Sequence, residues 1–525
     1  MQGLHPSLTM PPSNLIGGHW APIPGSALQS RPPADPGSVL WSGSPVIEHV
    51  DGAVTAARAA APQWAAASFD DRAAVLRRFQ KLCTAQVDRM AALIRDEVGK
   101  ASWDARAEAQ LLAGKVEITL EPGPNSPLNR VRDFDLPLSP TRVGRCRFRP
   151  HGVVAVLGPF NFPAHLPNGH IVPALAMGNT IVFKPSDKAP ACGQALAELF
   201  EQALRDAGAP AGVFNLVQGG VDVAKRLAHH DDLDAILFTG SWPVGRSILE
   251  ANLSRPGRLL ALEMGGDNAA IIMPDADLPQ AVVESVRSAF VTAGQRCTCT
   301  RRLIVHRGVA DRVIPAITRA ARSLVVGDPR EPVFMGPLIS RGARKGVLDA
   351  QAALARHGGQ VILPCDELVR PGAAGPSGWY LSPGIVKVDR FVGHAPPDAA
   401  HIRTCGDDLE IFGPLLRVSI AGDLDDALEQ ANATSFGLAG AIFTRDRASI
   451  DRFLDEARAG CLNINAGTAG ASSKLPFGGL GLSGNHRPAG AFSLDSCAYP
   501  VAAMIESGTD APLPVGMTFD RSWIA

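Results

Sequence analysis

The sequence predicts an α/β protein made of two parallel-sheet domains and a small strand arm. Three observations carry this. From His151 onward, short β-branched apolar runs (VVAVL, TIVF, VFNLV, AILF) alternate with helix-length spans, the signature of βαβ units. After Leu259 the alternation restarts with LALEMGG, NAAIIM and RRLIVH, which reads as a second α/β unit. The chain has 525 residues, more than one hydrophobic core usually organises.

The elements follow in order. The first 40 or so residues are rich in Pro, Gly and Ser and read as an irregular tail or arm, with residues 1–15 its clearest part. From Val50 to Lys100 the chain is Ala-rich with helical spacing. Asp70 and Asp71 stand where acidic residues favour a helix start. Residues 130–150 are basic, alternating and Pro-interrupted, and predict an exposed strand pair. The βαβ region then runs over 151–261, and the second unit, with a helix near Val282 to Phe290, over 262–464.

Composition narrows the function classes. A formal net charge of −1 argues against a nucleic-acid or acidic-membrane partner. The N-terminus lacks a basic region followed by an apolar run, and no stretch is apolar enough to span a bilayer, so the expectation is a cytoplasmic protein. Nine cysteines without a CxxC or Cys/His cluster predict neither a metal site nor a disulfide framework.

In open parallel sheets, ligands bind beyond the carboxyl ends of the strands. Asn161, Lys184, Gly240-Ser241 and Glu263 all follow predicted strands, and their convergence points to a site. Gly240 to Gly245 (GSWPVG) opens a helix; such a turn presents N–H groups to phosphate, or is simply tight. Lys184 in FKPSDKAP is a donor to sugar or phosphate, or a solvated lysine. Cys297, in FVTAGQRCTCTRR at a helix-to-strand junction, is an exposed nucleophile or a buried thiol. Glu263 stands between apolar strands, and burial raises a carboxyl pKa toward the range of a general base or demands a structural partner.

Taken together, FNFP (160–163), FKPSDKAP (183–190), FTGSWPVG (238–245), LEMGG (262–266), GQRCT (294–298), EIFGP (410–414) and PFGGLGLSG (476–484) resemble the aldehyde dehydrogenase superfamily, from about Ile16 to Ala503. Cys297 follows Glu263 by 34 positions, as in that family. The run 149–186, the double-cysteine segment AFVTAGQRCTCTRRL and SGNHRP resemble the succinylglutamate semialdehyde dehydrogenases of arginine catabolism most closely. NINAGTAGASS after Cys461, Asp267 in place of Asn and Ala489 in place of Ser depart from that pattern.

The resemblance implies a Rossmann-like NAD-binding domain (16–129 and 151–261), a catalytic domain (262–464), and an oligomerisation arm (130–150 and 485–505) that pairs subunits into a homodimer or homotetramer. It implies that Cys297 is the nucleophile, Glu263 the base that activates water, and Asn161 an oxyanion donor with the Cys297 N–H. Glu263 implies hydrolysis to a free acid, because members that pass the acyl group to coenzyme A or phosphate lack it. For the cofactor, Lys184, Ser186, Asp187, Gly240, Ser241, Gly245, Glu410 and Phe412 are implied, with NAD favoured and NADP admitted. The implied substrate is a small aldehyde, N-succinylglutamate 5-semialdehyde or another acidic semialdehyde such as that of glutamate or 2-oxoglutarate. Arg296, His486 and Arg487 are expected to hold its carboxylates, and Arg301 and Arg302 stand nearby.

Overall fold

The computed structural model describes residues 8–369, 378–396 and 398–525. Two seven-stranded sheets dominate it. In the first, Leu259–Glu263, Ala235–Thr239, Val153–Leu157, Thr180–Lys184 and Phe214–Leu216 run parallel in that spatial order. Every side chain of Val153–Leu157 is buried, as expected of a strand covered on both faces. The chain winds outward from Val153–Leu157 in one direction, then returns to its other side with Ala235–Thr239. That reversal opens a crevice beyond the carboxyl ends of these strands.

The second sheet runs in the order Gln360–Leu363, Gly384–Lys387, Leu415–Ala421, Thr300–His306, Asn268–Ile272, Ala439–Phe443 and Cys461–Ile464. All its pairs are parallel except the first. Glu263 ends a strand of the first sheet, and Asn268 begins one of the second. The carboxyl ends of one sheet therefore meet the amino ends of the other.

Helices pack on the first sheet for local reasons legible in their ends. Phe69–Ala85 starts at a capping box, in which the Ser68 side chain accepts from Asp71 N–H and the Asp71 carboxylate accepts from Ser68 N–H. Val87–Val98 stops at Gly99, which takes the left-handed conformation at φ 82°. Among the described residues, no helix is long and apolar enough to cross a membrane.

The structure corrects two expectations. Residues 1–7 of the predicted tail lie outside the described residues, but the rest of the segment is not irregular. Ser13–Ile16 and His19–Pro22 form a hairpin that extends the first sheet, joined antiparallel to Phe214–Leu216. Its turn is Gly17-Gly18, both at positive φ, which is a hairpin signal lying in LIGGHW. The arm is a three-stranded sheet of Phe134–Pro137, Arg142–Pro150 and Ala498–Glu506, so only the end of the 485–505 segment joins it. Residues 485–497 instead fold against the first sheet: the Asn485 amide donates to Leu260 C=O at 2.8 Å, and its carbonyl accepts from Leu262 N–H at 2.9 Å.

Candidate active site

A cavity of about 1440 Å³ fills the crevice between the sheets and reaches Asn161, Lys184, Ser186, Asp187, Gly240, Ser241, Glu263, Arg296, Cys297, Glu410 and Phe412. These residues are brought together from segments as far apart in the chain as Asn161 and Phe412. His486 and Arg487 do not line it. The backbone turns through the left-handed region at His486 (φ 61°), both side chains are exposed, and Arg487 Nη1 donates to His486 C=O. The pinning of Asn485 to the Leu259–Glu263 strand directs that turn outward, which is why the expected anchor pair misses the cavity.

Cys297 sits on a strained turn. The helix Leu278–Phe290 ends, and Thr292, Ala293 and Gly294 all adopt positive φ (55°, 52° and 71°). Only glycine fits at 294, since a Cβ there would lie 2.1 Å from Gly413 O. Two non-glycine residues in this conformation cost on the order of 1 kcal/mol each or more, a pattern that clusters at functional sites. The turn is held by Asn268, whose amide donates to Cys297 O at 2.7 Å and Cys299 O at 2.9 Å. Sequence reasoning missed this role of Asn268; a polar residue opening an apolar strand was its signal.

Asn161 comes from the loop after Val153–Leu157, and its Nδ2 donates to Gln295 O at 2.9 Å. The Cys297 N–H meets no acceptor among the described residues. Asn161 and Cys297 both line the cavity, and the Asn161 amide keeps a second N–H beyond the one given to Gln295. Burial, with the Glu263 charge as second cause, pushes the Cys297 thiol up to about 12. Glu263 is 4% exposed, and its Oε2 has no hydrogen-bond partner among the described residues. Burial holds its carboxyl well above the usual range, partly offset by a hydrogen bond from the Ala489 backbone.

Farther along the cavity the groups change character. Lys184 is buried, its ammonium donates to Pro185 O at 2.8 Å, and desolvation lowers its pKa to about 8. Ser186 accepts from Lys188 N–H and lies 3.4 Å from Asp187 Oδ1. Ser241 starts the helix Trp242–Ala251 without a side-chain cap, leaving the positive end of that helix toward the cavity. Gly245 must be small because a Cβ there would lie 2.3 Å from Met264 Sδ. Glu410 Oε1 accepts from Gly266 N–H at 3.0 Å, and Phe412 packs edge-on against Phe160 at 6.0 Å. A buried lysine, a helix N-terminus, a carboxylate and aromatic rings lining one cavity of this size fit a dinucleotide.

The arginines near the thiol are otherwise engaged. Arg296 lines the cavity, but its Nη2 pairs with Asp104 at 2.6 Å and its Nε donates to Thr292. Arg301 donates to Gly266, Gly294, Ile411 and Arg296 carbonyls. Arg302 Nε lies 3.3 Å from Asp267, whose two oxygens also accept from Arg417 at 2.8 Å. The unexpected carboxylate at 267 thus neutralises two buried guanidinium groups. Asp267→Ala should lower stability by about 3–5 kcal/mol, because it strands buried charges; a denaturant midpoint shift is the check, and a change below 1 kcal/mol would refute the pairing.

Comparison with known proteins agrees with this geometry. Residues 33–500 match the aldehyde dehydrogenase family. The chain is 42% identical over 483 residues to the N-succinylglutamate 5-semialdehyde dehydrogenase of Sphingopyxis alaskensis, covering 92% of this chain and 95% of that relative. A 1-pyrroline-5-carboxylate dehydrogenase from Thermus with bound NAD has a TM-score of 0.84 at 28% identity, covering 94% of this chain and 92% of that one. The glyceraldehyde-3-phosphate dehydrogenase GapN of Methanocaldococcus jannaschii, complexed with NADP, has a TM-score of 0.81 at 27% identity, covering 92% and 100%. The chain therefore belongs to the aldehyde dehydrogenase family, and is an enzyme that oxidises aldehydes with NAD or NADP.

Proposed function

We propose that this enzyme oxidises an acidic semialdehyde, N-succinylglutamate 5-semialdehyde first among them, to the free carboxylate through a thioester on Cys297. The observation that carries the chemistry is the cluster itself: a half-buried thiol next to a strained turn, the Asn161 amide, and a buried Glu263 carboxyl with one oxygen unpartnered among the described residues, all lining the same cavity. The substrate rests on the name shared by the curated relatives.

Cys297 gives its thiol proton to solvent water, its sulfur bonds to the aldehyde carbon, and the carbonyl oxygen becomes an oxyanion. The Asn161 Nδ2 and Cys297 N–H donors stabilise that charge, each worth about 3–4 kcal/mol in a comparable oxyanion hole. A bound dinucleotide would supply the acceptor for the hydride of that carbon, and a thioester would remain on Cys297. Glu263 then takes a proton from water as the hydroxyl adds to the thioester carbon, and the carbon–sulfur bond breaks to free the acid and the thiol. Lys184 and Asp187 would hold the adenosine ribose, Ser186, Gly240, Ser241 and Gly245 would border the phosphates, and Glu410 and Phe412 would hold the nicotinamide end.

NAD is the preferred cofactor in this reading. Asp187 accepts from a 2′-hydroxyl and repels a 2′-phosphate. Asp187→Ala should narrow the ratio of kcat/KM for NAD over NADP by about tenfold, or 1.4 kcal/mol. Equal use of both by the wild-type enzyme would remove Asp187 from the account. The protein acts in the cytoplasm as a homodimer or homotetramer. The arm supports this, because its strands present Phe134, Leu136, Met504 and Ile505 to solvent.

A panel of semialdehydes with zero, one or two carboxylates, followed by NADH absorbance, tests the substrate class. The expected order of kcat/KM rises with carboxylate number. Highest activity on long neutral or aromatic aldehydes would overturn it.

A further inference from the structure

One buried cation on the cavity wall has no acid partner and no part in the chemistry above. Lys115, on the helix Ser102–Leu120, is 3% exposed. Its ammonium donates to Gly490 O at 2.8 Å and Ser493 Oγ at 3.2 Å, and no carboxylate lies within ion-pair distance among the described residues. An ammonium carries three N–H groups, so one remains. The neighbouring buried cations differ. Lys100 on the preceding turn meets Glu108 at 2.6 Å, and Arg296 meets Asp104.

The surroundings of Lys115 make a pocket of defined chemistry. The helix His165–Ala176 forms the facing wall, and there His165 Nδ1 is buried without a partner among the described residues. Burial, and then the Lys115 and Lys100 charges, drive His165 down to about 3, so its ring is neutral and able to donate. One turn on, a Cβ added at Gly169 would meet no atom within 4 Å. Leu111, Lys115, His165 and Gly169 all line the cavity.

The pocket lies on the reacting side. Gly490 accepts from Lys115, while the backbone of Ala489, its neighbour, hydrogen-bonds Glu263. An isolated buried ammonium is costly unless a charge meets it, and Glu108, the nearby acid of the same helix, is already bound to Lys100 and the N–H groups of Ala164 and His165.

We propose that Lys115, assisted by His165, is the specificity-determining residue that holds a carboxylate of the substrate while its aldehyde reaches Cys297. This rests on the reading of the substrate as an acidic semialdehyde. It names the anchor in place of the exposed Arg487.

The test compares 5-oxopentanoate with 5-oxopentanamide, which has the same heavy-atom skeleton and no charge. Wild-type enzyme should favour the acid. Lys115→Met should lower the acid-to-amide ratio of kcat/KM about thirtyfold, or 2 kcal/mol at 1.4 kcal/mol per factor of ten, chiefly through KM. Lys115→Arg should restore part of the ratio, which a purely structural tether to Gly490 would not do. Equal losses on acid and amide in Lys115→Met would overturn the anchor while the wild-type preference leaves the acidic-substrate reading standing. Absence of any wild-type preference would overturn both. Should Lys115→Met not fold, Gly169→Glu decides: it places a carboxylate in the open space facing Lys115 and should lower the same ratio, and an unchanged ratio would reject the proposal.

Discussion

Cys297→Ala is expected to abolish aldehyde oxidation, with a loss on the order of a million-fold, as for removal of a nucleophile in a comparable covalent enzyme. No other thiol can replace it. Cys299, two residues on, is fully buried, and its Sγ faces Val291 O at 3.7 Å. The Thr292–Gly294 turn aims one thiol at the cavity and the next into the core. Binding of the dinucleotide, followed by tryptophan fluorescence, should persist in the variant. Intact-mass analysis should find an acyl adduct in the wild-type enzyme and none in Cys297→Ala. Residual turnover within a hundredfold of wild type would remove Cys297 from the role of nucleophile.

Glu263→Gln should separate the two halves of the reaction. Amide and carboxyl are of similar size, so Ala489 and the wall around Gly478 can accept the change. Without a base the water attack slows by about 10²–10⁴-fold. The expected record is a burst near one NADH per active site, then a slow steady state, with an acyl mass retained on Cys297. The pH dependence follows in sign. Burial raises the Glu263 pKa, so the carboxylate form needed for deacylation is lost as pH falls through that raised value. Wild-type steady-state turnover should therefore fall on the acid side well before an ordinary carboxyl would protonate. Glu263→Gln should lack that limb. Full steady-state turnover in the variant, or an unchanged acid limb, would rule out Glu263 as the base.

The sequence was most informative where its period was simple. Runs such as VVAVL and AILFT, buried at nearly every position, announce parallel strands because both faces of such a strand are covered. The helix-to-strand junction ahead of Cys297 was equally legible: at Gly294 the backbone leaves the helical region, with φ 71°. The N-terminal hairpin was missed because Pro- and Ser-rich flanks outweighed the Gly17-Gly18 turn that forms it.

By itself, the sequence determined the α/β class and the family, because strand periodicity and motif order are properties of the chain alone, and it named Cys297, Glu263 and Asn161 as the candidates for the chemistry. Only the tertiary structure decided which charges face the cavity. Arg296 lies beside the nucleophile in sequence and is consumed by Asp104, while Arg487 turns outward to solvent. Lys115, nearly two hundred residues from Cys297, reaches the cavity wall with no acid to meet it among the described residues. The physical reason is that a charge is free or spent according to what packs against it. That is settled by contacts between segments distant in the chain, such as Asp104 with Arg296 and Asp267 with Arg417, and local sequence carries no record of them.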